Sequence, residues 1–123
     1  MNIFLWILQI ALAAMFAMAG FLKVSQPKDK LRDKMPWVED FSESTVKFIG
    51  AVELLAAVGL ILPAATGILP WLTPLAATGL AVQMVLAANT HRQRGETTSI
   101  AVNAVLLVVA VVIAWGRFGP YAL

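Results

Sequence analysis

Residues 46–63 read VKFIGAVELLAAVGLILP, and this stretch decides the fold. Apart from Lys47 at one end, its only polar side chain is the carboxylate of Glu53, near the middle. A helix that is apolar on every face belongs in a membrane or in a large core, and a chain of 123 residues is too short for a large core. We therefore predict a membrane-spanning helix. A charge inside the membrane costs about 2.5–3.5 kcal/mol on insertion scales, so other groups must compensate Glu53.

The composition of the whole chain supports a membrane protein. Hydrophobic residues make up 60% of the sequence and charged residues 13%, against about 45–50% and about 25% in soluble domains. The net charge of +2 is small and the charges lie between apolar runs, which argues against a nucleic-acid partner. The chain has no cysteine, which excludes disulfides, dithiol relays and thiolate-held iron–sulfur clusters within it.

Three further apolar runs are long enough to cross the membrane, since about 20 helical residues span a hydrocarbon layer of about 30 Å. The predicted spans are about 3–24, 46–63, 74–90 and 98–115. Ala17-Met18-Ala19 resembles a signal-peptide cleavage site, but the first run lacks a basic segment before it, which favours a retained helix. We predict a single all-α domain over residues 1–123. It is an antiparallel four-helix transmembrane bundle with one longer polar loop between helices 1 and 2.

The loop between the first two spans, residues 25–45, is the only long polar segment. Basic and acidic residues alternate in it, and apolar residues are interleaved. It is therefore either a short amphipathic helix on the lipid head groups, broken at Pro36, or a solvated loop. Its basic residues are expected to contact anionic lipid. Ser44 or Thr45 is the predicted N-cap of the second span.

The distribution of basic residues predicts the orientation. With four spans, the first and third connections share one face of the membrane. This face collects Lys23, Lys28, Lys30, Arg32, Lys34, Lys47, Arg92 and Arg94, whereas the opposite face has only Arg117. The positive-inside rule therefore predicts that both termini lie on the outer side. We expect an integral protein of a bacterial-type cell membrane. An interfacial aromatic belt fits the same outer boundary and comprises Trp6, Trp71, Trp115 and Tyr121.

One polar side chain per helix falls at a similar depth from the basic face. Glu53 lies about seven residues into its helix, or roughly 10 Å at helical rise, and Gln83 lies about as deep in the third helix. Asn103 lies about five residues into the fourth helix, and the long side chain of Lys23 can reach the same level from the first. Small residues share the face of each, as is typical of helix contacts in membranes. We therefore predict that all four point into the bundle.

Two interpretations of this polar layer stay open. In the first, Lys23, Glu53, Gln83 and Asn103 hydrogen-bond to one another and fix the packing. In the second, they line a cavity that holds a polar head group or relays a proton. His91, the only histidine, is either a solvated turn residue or a proton access point near Gln83. A single histidine excludes bis-histidine haem ligation within one chain, and no covalent or metal cofactor is expected.

Several short motifs are similar to those of one known family. They are Ala19-Gly20-Phe21-Leu22-Lys23, Pro27, Gly50-Ala51-Val52-Glu53-Leu54, Leu60-Ile61-Leu62-Pro63, Pro74-Leu75-Ala76-Ala77, and His91 followed by Glu96. Together they resemble the DoxX-like family of small four-helix membrane proteins, over nearly the whole chain. By this resemblance Lys23, Glu53 and His91 match the family's recurrent polar positions. Members of the family are associated with thiosulfate:quinone oxidoreduction, quinol oxidation, quinone stress or thiol redox complexes.

The resemblance implies a redox-linked membrane partner more than a self-contained enzyme, and the absence of cysteine argues against direct thiol chemistry. Our leading hypothesis is an accessory or binding protein that holds a quinone-like or other amphipathic small molecule in the polar layer, among membrane lipids. The predicted ligand-binding residues are Lys23, Glu53, Gln83, Asn103 and His91. The alternatives are a ligand-free assembly subunit that docks a soluble oxidoreductase, and a small transporter. Formation of a homo-oligomer stays open.

Overall fold

The computed structural model describes residues 1–122, and helices are the only regular elements in that range. They are α1 (Asn2–Ser25), α2 (Lys28–Leu31), a 3₁₀ helix (Pro36–Asp40), α3 (Glu43–Thr66), α4 (Leu72–Gln93) and α5 (Thr97–Phe118). The four longer helices α1, α3, α4 and α5 are long and apolar enough to cross a membrane. They pack together, which confirms the predicted four-helix bundle.

Each long helix extends beyond its apolar run into the flanking sequence. α3 begins earlier than predicted, since Ser42, rather than Ser44 or Thr45, is its N-cap. The hydroxyl oxygen of Ser42 accepts a hydrogen bond from the N–H of Thr45 at 3.1 Å. Pro63, the predicted end, lies inside α3, and the helix ends where Gly67 adopts a left-handed φ of 74°. Glycine takes this conformation without strain, which makes it the common residue after a helix end.

Two glycines bring α1 and α3 into close contact. A Cβ added to Gly20 would lie 2.6 Å from the backbone oxygen of Gly50, and a Cβ added to Gly50 would lie 2.8 Å from that of Gly20. Any side chain at either position would therefore push the two backbones apart. This is the close approach that small residues allow between membrane helices.

An apolar core fills the middle of the bundle, between two groups of buried polar residues. Its largest members are Leu12, Phe16, Leu60, Leu80, Met84 and Ile113. Its small members are Ala13, Ala57, Ala77 and Ala110. The outer faces of the same helices expose large apolar side chains such as those of Leu55 and Leu86, which suits contact with lipid.

The segment between α1 and α3 contains short helices, so the solvated loop, one of the two forms predicted for it, is not what the structure has. Residues 26–42 contain α2 and the 3₁₀ helix, and Leu31 and Val38 of this segment are fully buried against Val46 of α3. Burial of these apolar side chains favours folding of the segment onto the end of the bundle. We call residues 26–42 the cover segment.

Candidate functional site

Three polar side chains from three helices meet inside the bundle. The Nζ of Lys23 on α1 donates to Oε1 of Glu53 on α3 at 2.5 Å. The Nε2 of Gln83 on α4 donates to the other carboxylate oxygen, Oε2, at 2.9 Å. Lys23 and Glu53 are only 5% and 2% exposed, so the ion pair and the amide supply the compensation that a buried carboxylate requires. We call these three residues the polar triad.

The glycine contact between α1 and α3 positions the triad. Lys23 follows Gly20 by three residues and Glu53 follows Gly50 by three, so each lies on the face that its glycine brings to the partner helix. A Cβ added to Gly50 would lie 2.6 Å from the Cβ of Lys23. Gly50 therefore leaves the space through which the Lys23 side chain reaches the carboxylate.

The triad lines a cavity of about 620 Å³ between the four long helices and the cover segment. Trp37 and Phe41 of the cover segment form an aromatic wall, with their ring centroids 5.7 Å apart in an edge-to-face contact. The Lys23 ammonium lies 5.5 Å from the Trp37 ring centroid, which is a cation–π distance. The remaining lining is largely apolar and includes Phe16, Met84 and Leu106. A few polar groups in an apolar, aromatic lining are typical of a small-molecule site. We call this space the polar cavity.

Asn103, another of the predicted site residues, lines the polar cavity but is not bonded to the triad. In the amide orientation that satisfies both of its ends, its nitrogen donates to the C=O of Ser99 at 2.8 Å and its oxygen accepts from the N–H of Ala88 at 3.2 Å. Asn103 therefore connects α5 to α4 through the backbone. In the first interpretation of the polar layer, four side chains hydrogen-bond to one another. The structure has such a network among the three residues of the triad, without Asn103.

His91 lies at the edge of the polar cavity, in a network of charged groups. Its Nδ1 lies 2.7 Å from Oε1 of Glu96, and its side chain is only 12% exposed. Arg94 lies 3.4 Å from the same carboxylate and 3.1 Å from Oδ2 of Asp40 in the cover segment. The hydrogen bond with His91 holds the pKa of Glu96 below its ordinary value, and the hydrogen bond with Asp40 raises the pKa of Arg94. The network ties the cover segment to the α4–α5 turn beside the cavity.

A second polar cluster, at the end of the bundle that holds the termini, is missing from the sequence prediction. Arg117 of α5 is 3% exposed and donates to Oε1 of Gln9 at 2.7 Å and to Oδ1 of Asn2 at 2.6 Å. The Gln9 amide donates in turn to the C=O of Leu60 at 2.7 Å. The guanidinium carbon lies 5.8 Å from the Trp6 ring centroid. This cluster joins α1, α3 and α5.

The sequence does contain a signal for this second cluster. Gln9 is the only polar residue in α1 between Asn2 and Lys23. Apart from the N-terminal amine of Met1, Arg117 is the only basic group at its end of the bundle. Counted from the terminal end, Gln9 lies seven residues after Asn2 in α1, whereas Arg117 lies one residue before Phe118 in α5. The long arginine side chain covers their difference in depth.

Two members of the polar triad have N–H groups that they do not use within it. Within residues 1–122, no three His, Asp or Glu side chains come together as a metal site. Lys23 carries three N–H donors and the Gln83 amide carries two, and each residue uses one of them on Glu53. The donors that remain suit a head group with acceptor oxygens, and Glu53 can accept a proton from a hydroxyl on that group.

The fold and the site together define the class of this molecule, a small four-helix integral membrane protein with an ion pair and a cavity inside the bundle. The model of the DoxX-like family matches residues 7–113, which is most of the chain, so the protein belongs to the DoxX-like family. This confirms the family predicted from the sequence motifs. The match includes the triad, His91 and Asn103, and ends before Arg117. No curated protein and no solved structure matches the chain significantly.

Proposed function

We propose that this protein is a membrane accessory protein that binds a quinone-like or other amphipathic small molecule, with its head group in the polar cavity. One observation carries the proposal. Glu53 is 2% exposed and yet lies on the wall of a cavity of about 620 Å³. Protein interiors are normally close-packed, and an ion pair that only joined helices would need no such space beside it.

The chemistry of the lining favours a flat head group with carbonyl oxygens. Trp37 and Phe41 offer aromatic surface against which a planar ring can pack. The unused N–H groups of Lys23 and Gln83 can donate to two carbonyl oxygens. Glu53 can accept a proton from a hydroxyl of the reduced form. A quinone head group combines a planar ring, two acceptor oxygens and hydroxyls on reduction, so it meets each of these features.

In this proposal a partner carries out the redox chemistry, and the protein holds the ligand for a membrane-associated oxidoreductase. The cover segment and the α4–α5 turn hold most of the basic residues. The cover segment and the end of α4 that leads into this turn line the polar cavity. The positive-inside rule assigns this end of the bundle to the cytoplasm and both termini to the outer side. We therefore propose that the partner approaches the cavity from the cytoplasmic side.

A different observation favours a second candidate function, that of a ligand-free assembly subunit. Both carboxylate oxygens of Glu53 already accept a hydrogen bond, so the triad is a complete packing element without a ligand. It holds α1, α3 and α4 together, and breaking such a buried pair costs about 3–5 kcal/mol. In this case the basic cover segment would dock a soluble oxidoreductase by charge complementarity.

Mass spectrometry of the small molecules carried by the detergent-purified protein separates the two functions. Wild type is compared with Glu53→Gln and with a control, Glu43→Gln, because Glu43 is an exposed carboxylate in the first turn of α3. We expect a stoichiometric quinone or other amphipathic molecule in wild type and Glu43→Gln, and its loss from Glu53→Gln. The same bulk lipid in all three samples would contradict ligand binding. A soluble partner that co-purifies until Lys28, Lys30 and Lys34 are neutralised would favour the assembly subunit.

A further inference from the structure

A second cavity, of about 640 Å³, lies along the seam between α3 and α4 on the outer side of the bundle. We call it the seam groove. Its walls include Leu55, Leu62 and Leu75, which are 72%, 54% and 48% exposed and therefore lie on the lipid-facing surface. Thr66, a polar residue of the lining, donates its hydroxyl to the C=O of Leu62. The lining of the groove is thus largely apolar, and the hydroxyl of Thr66 already has a hydrogen-bond partner within α3.

The seam groove and the polar cavity meet at one side chain. Gln83 lines both, and its Nε2 donates to Glu53 at 2.9 Å. The groove follows α3 from Val52 to Thr66, a distance of about 21 Å at helical rise. This length is roughly two-thirds of a hydrocarbon layer of about 30 Å. The Gln83 side chain therefore lies between the two spaces, and a molecule with its head at the triad would pass this side chain to lie along the groove.

Gly79 keeps the seam groove open. A Cβ added at Gly79 would meet no heavy atom within 4 Å, so the packing of α3 against α4 does not require glycine there. Gly59, also in the groove, differs, because a Cβ there would lie 3.0 Å from the Cβ of Ala76. Glycine weakens a helix relative to alanine. Gly79 therefore leaves open space in the groove, and a larger residue at this position would fill it.

We infer that the seam groove holds the single apolar tail of the amphipathic molecule whose head group lies in the polar cavity. This inference rests on the proposed function and narrows it to a ligand class. The ligand has one flat, oxygen-bearing head group and one unbranched or isoprenoid tail, because one apolar track leads away from Gln83 along α3 and α4.

The test compares benzoquinone, which has no tail, with decyl-benzoquinone by calorimetric titration in one detergent. Gly79→Leu fills the groove, and Ala104→Leu, on the exposed face of α5 outside both cavities, is the matched control. Wild type and Ala104→Leu should bind the decyl probe at least about tenfold more tightly, the gain expected from burying two or more methylene groups. In Gly79→Leu this ratio should fall several-fold, while the affinity for benzoquinone stays unchanged. Partitioning into the micelle lowers the apparent affinity of the decyl probe equally in every variant, so it cancels when the ratios of the variants are compared.

The outcomes distinguish this inference from the proposed function. If neither probe binds, or if Glu53→Gln binds both as wild type does, the quinone-like ligand of the proposed function is wrong and the tail site with it. If both probes bind through Glu53 but Gly79→Leu and Ala104→Leu give the same ratio, only the tail site is wrong. A new oligomeric state in Gly79→Leu with an unchanged ratio would make the groove an interface between copies of the chain, which also overturns the inference. Leu62→Ala removes part of the groove wall without changing α4 and should lower the ratio too, even if Gly79→Leu fails to fold.

Discussion

Replacement of Glu53 by leucine should destabilise the protein strongly. The substitution leaves the Lys23 ammonium buried without a counter-charge, and the Gln83 amide loses its acceptor. Removal of one partner from a buried pair costs about 3–5 kcal/mol. For a domain of about this length, such a loss corresponds to a fall in melting temperature of roughly 10–20 °C. The double variant Lys23→Met/Glu53→Leu removes both charges and should melt above Glu53→Leu alone, because no unpaired charge is left buried.

Thermal melting of the detergent-purified protein, followed by tryptophan fluorescence, measures this effect. The series comprises wild type, Lys23→Met, Glu53→Leu and the double variant, with Glu43→Leu as a control for added apolar surface at an exposed position. We expect the loss in the double variant to be smaller than the sum of the single losses, as for residues in direct contact. Strictly additive losses, or a Glu53→Leu variant that melts with wild type, would show that the triad does not hold the helices together.

Three further predictions concern packing, the second cluster and pH. Gly50→Ala should lower the melting temperature, since overpacking typically costs about 1–3 kcal/mol, whereas Gly79→Ala should not, because its Cβ enters open space. Arg117→Lys should also lower it in a thermal melt, because lysine keeps the charge but cannot reproduce the forked hydrogen bonds to both side-chain partners. The bond from His91 lowers the pKa of Glu96, so its stabilising effect is present above the ordinary value of 4.5 and is lost as pH falls through the lowered pKa. Glu96→Gln should therefore flatten the acid side of a plot of melting temperature against pH.

Each of these predictions has an outcome that contradicts it. Equal melting temperatures for Gly50→Ala and Gly79→Ala would mean that α1 and α3 do not meet at the glycine contact. Wild-type stability in Arg117→Lys would mean that the second cluster contributes charge alone. An unchanged acid profile in Glu96→Gln would show that the contact with His91 does not stabilise the folded protein.

The bundle is readily predicted because uninterrupted apolar runs are what the membrane itself requires. The ends of the helices are harder, and the second span, predicted over residues 46–63, is α3 over Glu43–Thr66. Apolar runs mark the part of a helix inside lipid, whereas caps in the polar flanks, such as Ser42, set its ends. The cover segment folds because Leu31 and Val38 bury against α3, and the local pattern of residues does not reveal that tertiary partner.

Part of the candidate site also follows from the sequence. A count of residues from the basic end places Lys23, Glu53 and Gln83 at one level, and the structure joins these three. Asn103 lies at a similar depth, but its amide bonds to backbone groups of α4 and α5. The depth of a residue in its helix gives its level within the bundle. It does not give the rotation of the helix about its axis, or show whether nearby backbone groups compete for the side chain's hydrogen bonds. Trp37 lies on the cavity wall because the cover segment folds onto α3, and the local pattern of residues does not reveal this packing.

Occupation of the polar cavity by a head group is tested most directly by photo-cross-linking. Benzoquinone that carries a short diazirine arm is bound to the purified protein and irradiated, and the labelled residues are mapped by peptide mass spectrometry. We predict labels concentrated on cavity residues such as Trp37 and Met84, and their loss in Glu53→Gln. Labels spread over lipid-facing residues such as Val105, with the same pattern in Glu53→Gln, would contradict a ligand site beside the triad.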